Sequence, residues 1–260
     1  MDSLRVVIPS RRQPRQAEFL ARAVQSVRAQ TVWAKVKVDI VVGLDQGETL
    51  ARDLCERLQI RRVQSDGESQ AAALNAAAND LHSGCLAFLE DDDQWHPRFL
   101  QFAFMALRHG DFVSSTQLEV DPAGAVIRIN DFPTPSGWVM KAETWARIGN
   151  FNPEYRLHLD REWLGRLGTS GTRRVHLLES TAPANVEAMR QVRPWLADLA
   201  RFGGAAEHNG FLRHSVPRPL ITRLVHENSG MAQIATRPDY VQQSNLENQM
   251  MLQRFGYLPW

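Results

Sequence analysis

The first part of the chain alternates short apolar runs with amphipathic stretches. Leu4 to Ile8 is a β-branched run that ends at Pro9-Ser10, which predicts a short buried strand. From Glu18 to Gln30, apolar residues recur at helical spacing with arginines on the other face, which predicts an amphipathic helix. A second apolar run at 36–44 predicts another strand. Strand, helix and strand in this order form a βαβ unit, which implies a parallel sheet.

The same alternation continues through the first half of the chain. The predicted helices are 49–58, 70–81 and 98–108, and the predicted strands are 60–63, 85–89 and 111–118. The strand at 85–89 runs directly into four consecutive carboxylates, Glu90-Asp91-Asp92-Asp93, which we call the acidic run. Ligands of open α/β sheets bind beyond the carboxyl ends of the strands. We therefore expect Pro9-Ser10, Asp45 and the acidic run to face one crevice.

The second half of the chain has a mixed pattern. It predicts strands at 126–129, 137–140 and 173–178, helices at 141–148, 160–167 and 186–202, and a loop at 202–209. Beyond about residue 230 the sequence is rich in Gln and Asn. We predict a domain over 1–230, with a nucleotide-sugar-binding half at 1–112 and an acceptor-side half at 113–230, followed by a C-terminal tail over 231–260.

Composition and charge exclude several classes of protein. The net charge of +1 offers no basic field for nucleic acid, and no apolar run approaches the length of a membrane span. The N-terminal sequence lacks the apolar core of a signal peptide. The only two cysteines, Cys55 and Cys85, have no disulfide or zinc-site spacing. These features predict a cytoplasmic protein with reduced thiols and no membrane span.

The acidic run is the strongest candidate for chemistry. Four adjacent carboxylates repel one another unless a cation or hydrogen bonds offset the repulsion. Carboxylate oxygens suit Mg²⁺ or Mn²⁺, whose coordination is often completed by substrate phosphates. The alternative is a solvated acidic loop that caps the following helix. The position of the run directly after an apolar strand favours the metal site.

Three ordered segments resemble family-two glycosyltransferases of the GT-A fold. The first is VVIPSRRQPRQAEFLARAVQSVRAQT, the second is ALNAAANDLHSGCLAFLEDDDQWHPRFL, and the third is GWVMKAETWARIGNFNPEYRLHLDREWLGRL. The resemblance implies an open, mixed, mainly parallel Rossmann-like sheet flanked by helices, with a helical C-terminal extension. It also implies a hexosyltransferase-like enzyme that uses a nucleotide-diphospho-sugar and Mn²⁺ or Mg²⁺.

The resemblance also implies roles for individual residues. It places Asp160 as the catalytic base, and Asp92, Asp93 and His226 at the metal, although the register within the acidic run stays open. The residues that it assigns to the donor are Pro9, Ser10, Arg11, Asp45, Asn75 and Asp91. Among the tryptophans, Trp138 is the best candidate for stacking on a sugar, although most tryptophans pack in cores. Asp160 could instead be a helix N-cap, and His226 could be a packed or surface histidine.

The chain also departs from the family pattern at three positions. Gly43-Leu44-Asp45 keeps one carboxylate where a pair is usual, Leu74 replaces an Arg before Asn75, and Leu159 replaces a Glu before Asp160. These departures bear on donor specificity.

The sequence therefore predicts an inverting, metal-dependent transferase. It would move a sugar to the hydroxyl of a carbohydrate or glycolipid acceptor, in bacterial polysaccharide or glycoconjugate synthesis. The alternative is a catalytically degenerate nucleotide-sugar-binding protein of the same fold, and a homo-oligomer is compatible with either. A dinucleotide-dependent oxidoreductase fits less well, because no GxGxxG motif follows the first strand.

Overall fold

The computed structural model describes residues 3–10, 15–45, 49–179 and 211–259. The strands are β1 (Ser3–Ser10), β2 (Lys37–Leu44), β3 (Arg61–Gln64), β4 (Cys85–Phe88), β5 (Gln94–Trp95), β6 (Phe112–Ser115), β7 (Gln117–Val120), β8 (Val126–Asn130), β9 (Val139–Lys141), β10 (Arg174–Glu179), β11 (Phe211–Val216) and β12 (Ile221–Leu224). The helices are α1 (Gln16–Arg28), α2 (Leu50–Leu58), α3 (Gln70–Ala78), α4 (Phe99–Ala106), α5 (Ala142–Ile148), α6 (Leu159–Thr169), α7 (Gly230–Thr236) and α8 (Pro238–Phe255).

The main sheet has eight strands in the order β11-β10-β6-β9-β4-β1-β2-β3. All neighbouring pairs are parallel except the two that involve β9, which runs antiparallel to both β4 and β6. The predicted mixed, mainly parallel α/β fold is therefore confirmed. Because β1 lies between β4 and β2 and runs parallel to both, the carboxyl ends of the three strands lie at one edge, as the sequence predicted.

A smaller sheet of four strands, in the order β5-β12-β7-β8, lies beside this edge. The sequence did not predict β5, β11 or β12. Of these, β5 has two residues and β12 has four, which is too short for a clear periodicity. The predicted strand 111–118 is divided at Thr116, where the chain passes from β6 in the large sheet to β7 in the small one. The predicted helix 186–202 and loop 202–209 lie outside the described residues.

Helix α3 packs unusually close to β2. A Cβ atom added to Gly43 would lie 2.1 Å from the carbonyl oxygen of Ala73, so no side chain fits there. This contact gives a physical reason why position 43 carries no carboxylate. The helix ends at Ala78, earlier than predicted, and Asp80 then adopts a left-handed backbone conformation with φ of 59°.

The C-terminal extension is helical, as predicted, and α8 packs tightly on α6. Met251 of α8 is buried in the core, and a Cβ atom on Gly165 of α6 would lie 2.6 Å from the Phe255 ring. Among the described residues, no helix combines the length and apolar character that crossing a bilayer requires.

Candidate functional site

A cleft of about 610 Å³ opens at the carboxyl ends of the central strands. Pro9 of β1 and the acidic residues Glu90, Asp91 and Asp92 after β4 line one side of it. The opposite side consists of residues between 228 and 243, from the start of α7 to the first turns of α8. The volume is in the range typical of small-molecule sites, and the lining is rich in polar and charged groups.

Three carboxylates of the acidic run converge at this cleft. One oxygen each from Glu90, Asp92 and Asp93 lies within 4.8 Å of the others. The apolar strand β4 and buried Leu89 end just before them, so the carboxylates emerge together at the sheet edge. An all-oxygen donor set of this kind fits Mg²⁺ or Mn²⁺, which keep other positions for water or phosphate. The group includes Glu90, which the sequence analysis did not assign to the metal.

Asp91 is turned away from this group, toward β1. The Ser10 hydroxyl donates to Asp91 Oδ2 at 3.1 Å, and the Gln16 amide donates to the same hydroxyl oxygen at 2.7 Å. This chain links the acidic run to the start of α1. Asp91 and Ser10, two of the residues that the resemblance assigns to the donor, thus contact each other.

Asp93 is buried and holds the run in place. The Ser136 hydroxyl donates to Asp93 Oδ2 at 2.5 Å, and the Leu224 backbone N–H donates to Asp93 Oδ1 at 3.1 Å. The same Ser136 hydroxyl oxygen accepts the backbone N–H of Glu90 at 3.0 Å. Asp93 therefore ties the segment after β4 to the turn before β9 and to β12. This leaves Glu90 and Asp92 as the more accessible members of the group.

His226 contacts Asp92 directly. Its Nε2 lies 3.0 Å from Asp92 Oδ2, and its ring packs on Phe19 with centroids 5.5 Å apart. The Asn228 backbone N–H donates to His226 Nδ1 at 3.3 Å, which leaves the ring proton on Nε2, where it points at Asp92. In this arrangement His226 orients Asp92, as outer partners of metal ligands commonly do.

The charges in the run strongly affect one another. Burial, followed by repulsion from Asp92, raises the pKa of Glu90 to about 7. The same two causes raise the pKa values of Asp91 and Asp93 well above the ordinary range. The cluster therefore repels added negative charge and would gain from a bound cation.

Arg223 is a cleft residue that the sequence analysis did not single out. It lines the cleft, and its Nη1 pairs with Glu119 Oε1 at 3.0 Å. Burial lowers the pKa of its guanidinium, but attraction from Glu90, Asp93 and Glu119 outweighs burial and raises that pKa. Arg223 thus supplies a fixed positive charge beside the acidic run. The only sequence signal was an Arg within the short apolar segment ITRL.

Asp160 lies in the first turn of α6, and its Oδ1 accepts the Arg161 backbone N–H at 2.7 Å. Burial raises its pKa above the ordinary value, and the nearby His158 opposes this only in part. Its charge in turn contributes to the raised pKa of Glu90. Asp160 itself is not among the residues that line the described cleft. Arg156 and Leu157, just before Asp160, line the cleft.

The other residues assigned to the donor are placed differently. The Asn75 side chain donates to the Phe151 carbonyl at 2.9 Å and accepts the Phe151 N–H at 2.8 Å, which joins α3 to the loop after α5. Asp45 follows β2, and its backbone N–H contacts the Ser10 carbonyl at 3.4 Å. Neither is among the residues that line the described cleft. Arg11 lies outside the described residues.

Trp138, the best candidate among the tryptophans for stacking on a sugar, instead packs in the core, as most tryptophans do. Its side chain is 0% exposed and packs in an aromatic cluster with Phe112, Phe151 and Trp163. Its indole N–H donates to the Pro133 carbonyl at 2.8 Å. The residue therefore fills the core under β6 and β9 and cannot reach a ligand.

Residues 5–158 match the family described as glycosyl transferase family 2. This match spans more than half of the chain and includes β1, the acidic run and the loop before Asp160. The chain belongs to glycosyl transferase family 2. Among curated proteins, the chain is similar to an uncharacterized glycosyltransferase of Nostoc sp. strain PCC 7120, with 26% identity over 175 residues. That alignment covers 55% of this chain and 53% of the relative, so the chain spans about half of the relative's length.

Solved structures of TarS from S. aureus share the fold. The complex of TarS 1–349 with UDP has a TM-score of 0.55 and 10% identity, over 99% of this chain and 72% of that one. The complex with UDP-GlcNAc has a TM-score of 0.57 and 12% identity, over 97% of this chain and 67% of that one. At these identities the likeness establishes the GT-A fold and leaves the activity to be argued from the site.

Proposed function

We propose that the protein is a metal-dependent glycosyltransferase that moves a sugar from a nucleotide-diphosphate donor to an acceptor hydroxyl with inversion. The convergence of Glu90, Asp92 and Asp93 at a cleft beside the end of β1 carries this proposal. Family membership supports the reaction class, and the UDP and UDP-GlcNAc complexes of TarS support a nucleotide-sugar donor. The acceptor is a carbohydrate or glycolipid.

Each part of the cleft has a task in this reaction. Asp92, with Asp93 and Glu90, holds Mn²⁺ or Mg²⁺, and His226 fixes the orientation of Asp92 or joins it as a ligand. The cation, when bound, would neutralise the diphosphate leaving group. Pro9, Ser10, Arg11, Asp45, Asn75 and Asp91 are the residues proposed to hold or support the donor.

Asp160 is proposed to take the proton from the acceptor hydroxyl. A general base works best when its pKa approaches the working pH, and burial shifts the pKa of Asp160 in that direction. On this proposal the acceptor would approach the sugar from the side opposite the leaving group, and Asp160 on α6 would receive its proton. Such an approach gives inversion at the anomeric carbon.

The second candidate is a nucleotide-sugar-binding protein without transfer activity. The departures at Gly43, Leu74 and Leu159 favour it, because the family usually places charged residues at these positions. Such a protein would keep the metal and donor sites but would not transfer the sugar.

Nucleotide release from UDP-, GDP- and dTDP-linked sugars, measured with Mn²⁺ and with EDTA, separates the two. We expect Mn²⁺-dependent release from at least one donor. We also expect Asp160→Asn to lower kcat by about 10²-fold or more, the lower end of the range for general-base catalysis, with an unchanged Kd for UDP. Wild-type turnover in Asp160→Asn would refute the assignment of the base. Binding of UDP without release from any donor would favour the degenerate binder.

A further inference from the structure

The loop that precedes the proposed base is held by one side chain of the C-terminal helix. The backbone N–H groups of Arg156 and His158 donate to Glu247 at 2.8 Å each, to Oε1 and Oε2 respectively. The N–H of Leu157 lies between them and reaches both oxygens, at 3.3 and 3.1 Å. One carboxylate of α8 therefore gathers three consecutive N–H groups at the start of α6.

These N–H groups require a hydrogen-bond acceptor from outside the helix. The first N–H groups of a helix and of the turn before it have no partner within the helix. His158 is the N-cap residue of α6, and no side chain caps the helix at this position. Glu247 is 0% exposed, so its oxygens meet protein donors in place of water. Among the described residues, no Lys, Arg or His forms an ion pair with it.

Two further contacts join α8 to the same end of α6. Ser244 Oγ lies 2.7 Å from His158 Nε2, and Arg254 Nη1 donates to Glu162 Oε1 at 2.7 Å. Gln243, which lines the cleft, donates to Glu247 Oε1 at 2.7 Å. The contacts thus run from the cleft wall through Glu247 to the backbone two residues before Asp160.

We propose that Glu247 is a positioning residue that sets the place of Asp160 for catalysis. The inference rests on the proposed function, since it takes Asp160 as the base. Without the carboxylate, the 156–158 backbone would lose its shared acceptor and the first turn of α6 would shift or fray. The sheet residues that hold metal and nucleotide, at the ends of β1 and β4, make no contact with Glu247 in the part of the chain described. The Glu247 carboxylate would therefore affect turnover more than nucleotide binding.

The test uses Glu247→Gln, which keeps the size of the side chain but points an amide N–H₂ at backbone N–H donors. Glu143→Gln is the matched control, because Glu143 is exposed on α5, away from the loop. Three quantities are measured: the Kd for UDP with Mn²⁺, the kcat and KM for nucleotide release from UDP-GlcNAc, and amide hydrogen exchange along 156–167.

For Glu247→Gln we expect kcat to fall by roughly tenfold to a hundredfold, the cost of a misplaced catalytic group. The Kd for UDP and the KM for the donor stay within about twofold of wild type. Exchange accelerates at Leu157 and His158, while the second and third turns of α6 keep their protection. Glu247→Asp, which retains both acceptor oxygens on a shorter stem, restores part of kcat.

Two results would overturn the proposal. One is unchanged exchange at 156–158, which would mean that Glu247 does not hold the loop. The other is a loss of UDP affinity parallel to the loss of kcat, which would mean a general structural defect. If exchange accelerates as expected but neither wild type nor variant releases nucleotide from any UDP-, GDP- or dTDP-linked sugar, the positioning contact stands and the proposed function fails.

Discussion

Replacing Glu90 with Gln tests whether the acidic run is an electrostatically strained metal site. In the metal-free protein, burial and repulsion from Asp92 raise the pKa of Glu90 from 4.5 to about 7. The folded state therefore keeps a proton over a pH range in which the unfolded state has lost it. A group of this kind contributes stability below pH 4.5, and that contribution is lost as the pH rises through about 7.

The size of the effect follows from the shift. About 2.5 units at 1.36 kcal/mol each give at most about 3 kcal/mol, since Glu90 keeps some contact with water. Glu90→Gln removes this titration. As the pH rises from 5 to 8, wild type should therefore lose up to about 3 kcal/mol more of its free energy of unfolding than the variant does. The variant must be compared with wild type because other groups also titrate in this range. Burial lowers the pKa of His158 and of His96, which makes the free energy of unfolding rise with pH over part of it.

The free energy of unfolding is measured by urea denaturation in EDTA at pH 5, 6, 7 and 8. The same series is repeated with Mn²⁺, which should stabilise wild type most at high pH, where the run carries its full charge. Glu143→Gln, an exposed Glu to Gln change on α5, serves as the control and should follow wild type at every pH. Parallel pH curves for wild type and Glu90→Gln would refute the reasoning, as would equal stabilisation of both by Mn²⁺.

Two further changes separate structural from functional roles. Trp138→Ala empties a fully buried site in the aromatic cluster, so it should cost about 3–5 kcal/mol of unfolding free energy while the folded protein keeps its affinity for UDP. A variant of wild-type stability with impaired transfer would instead restore the sugar-stacking role. His226→Ala removes the partner of Asp92 and should weaken Mn²⁺ binding by about 10- to 100-fold, measured by Mn²⁺ titration. Unchanged affinity would show that the contact does not support the metal.

The sequence predicted best those features that depend on the local residue pattern and on the order of the strands. β1, β2 and β4 are apolar runs with clear ends, so the edge at which Ser10, Asp91 and Asp92 meet could be inferred before the structure. The parallel order of these strands then brings Ser10 and Asp91 together although they are 81 positions apart.

Residues brought in by distant elements could not be predicted in this way. Arg223 reaches the acidic run through β12, a four-residue strand whose partners are β5, with two residues, and β7, with four. Glu247 is one polar residue among many on α8, and only the packing of that helix on α6 selects it. The sequence left Trp138 open between core packing and sugar stacking, because a Trp beside a glycine has the same local pattern in a core as in a binding site. Its burial depends on Phe112 and Trp163, which come from other elements.

The most direct test of the account is a calorimetric titration of UDP into wild type and Asp92→Asn, each with Mn²⁺ and with EDTA. Asp92 belongs to the converging carboxylates and lines the cleft, so the substitution removes a proposed metal ligand. We expect wild type to bind UDP with Mn²⁺, and EDTA or Asp92→Asn to weaken that binding by at least about tenfold. Equal affinity for UDP under all four conditions would contradict a metal-dependent nucleotide-sugar site at the acidic run.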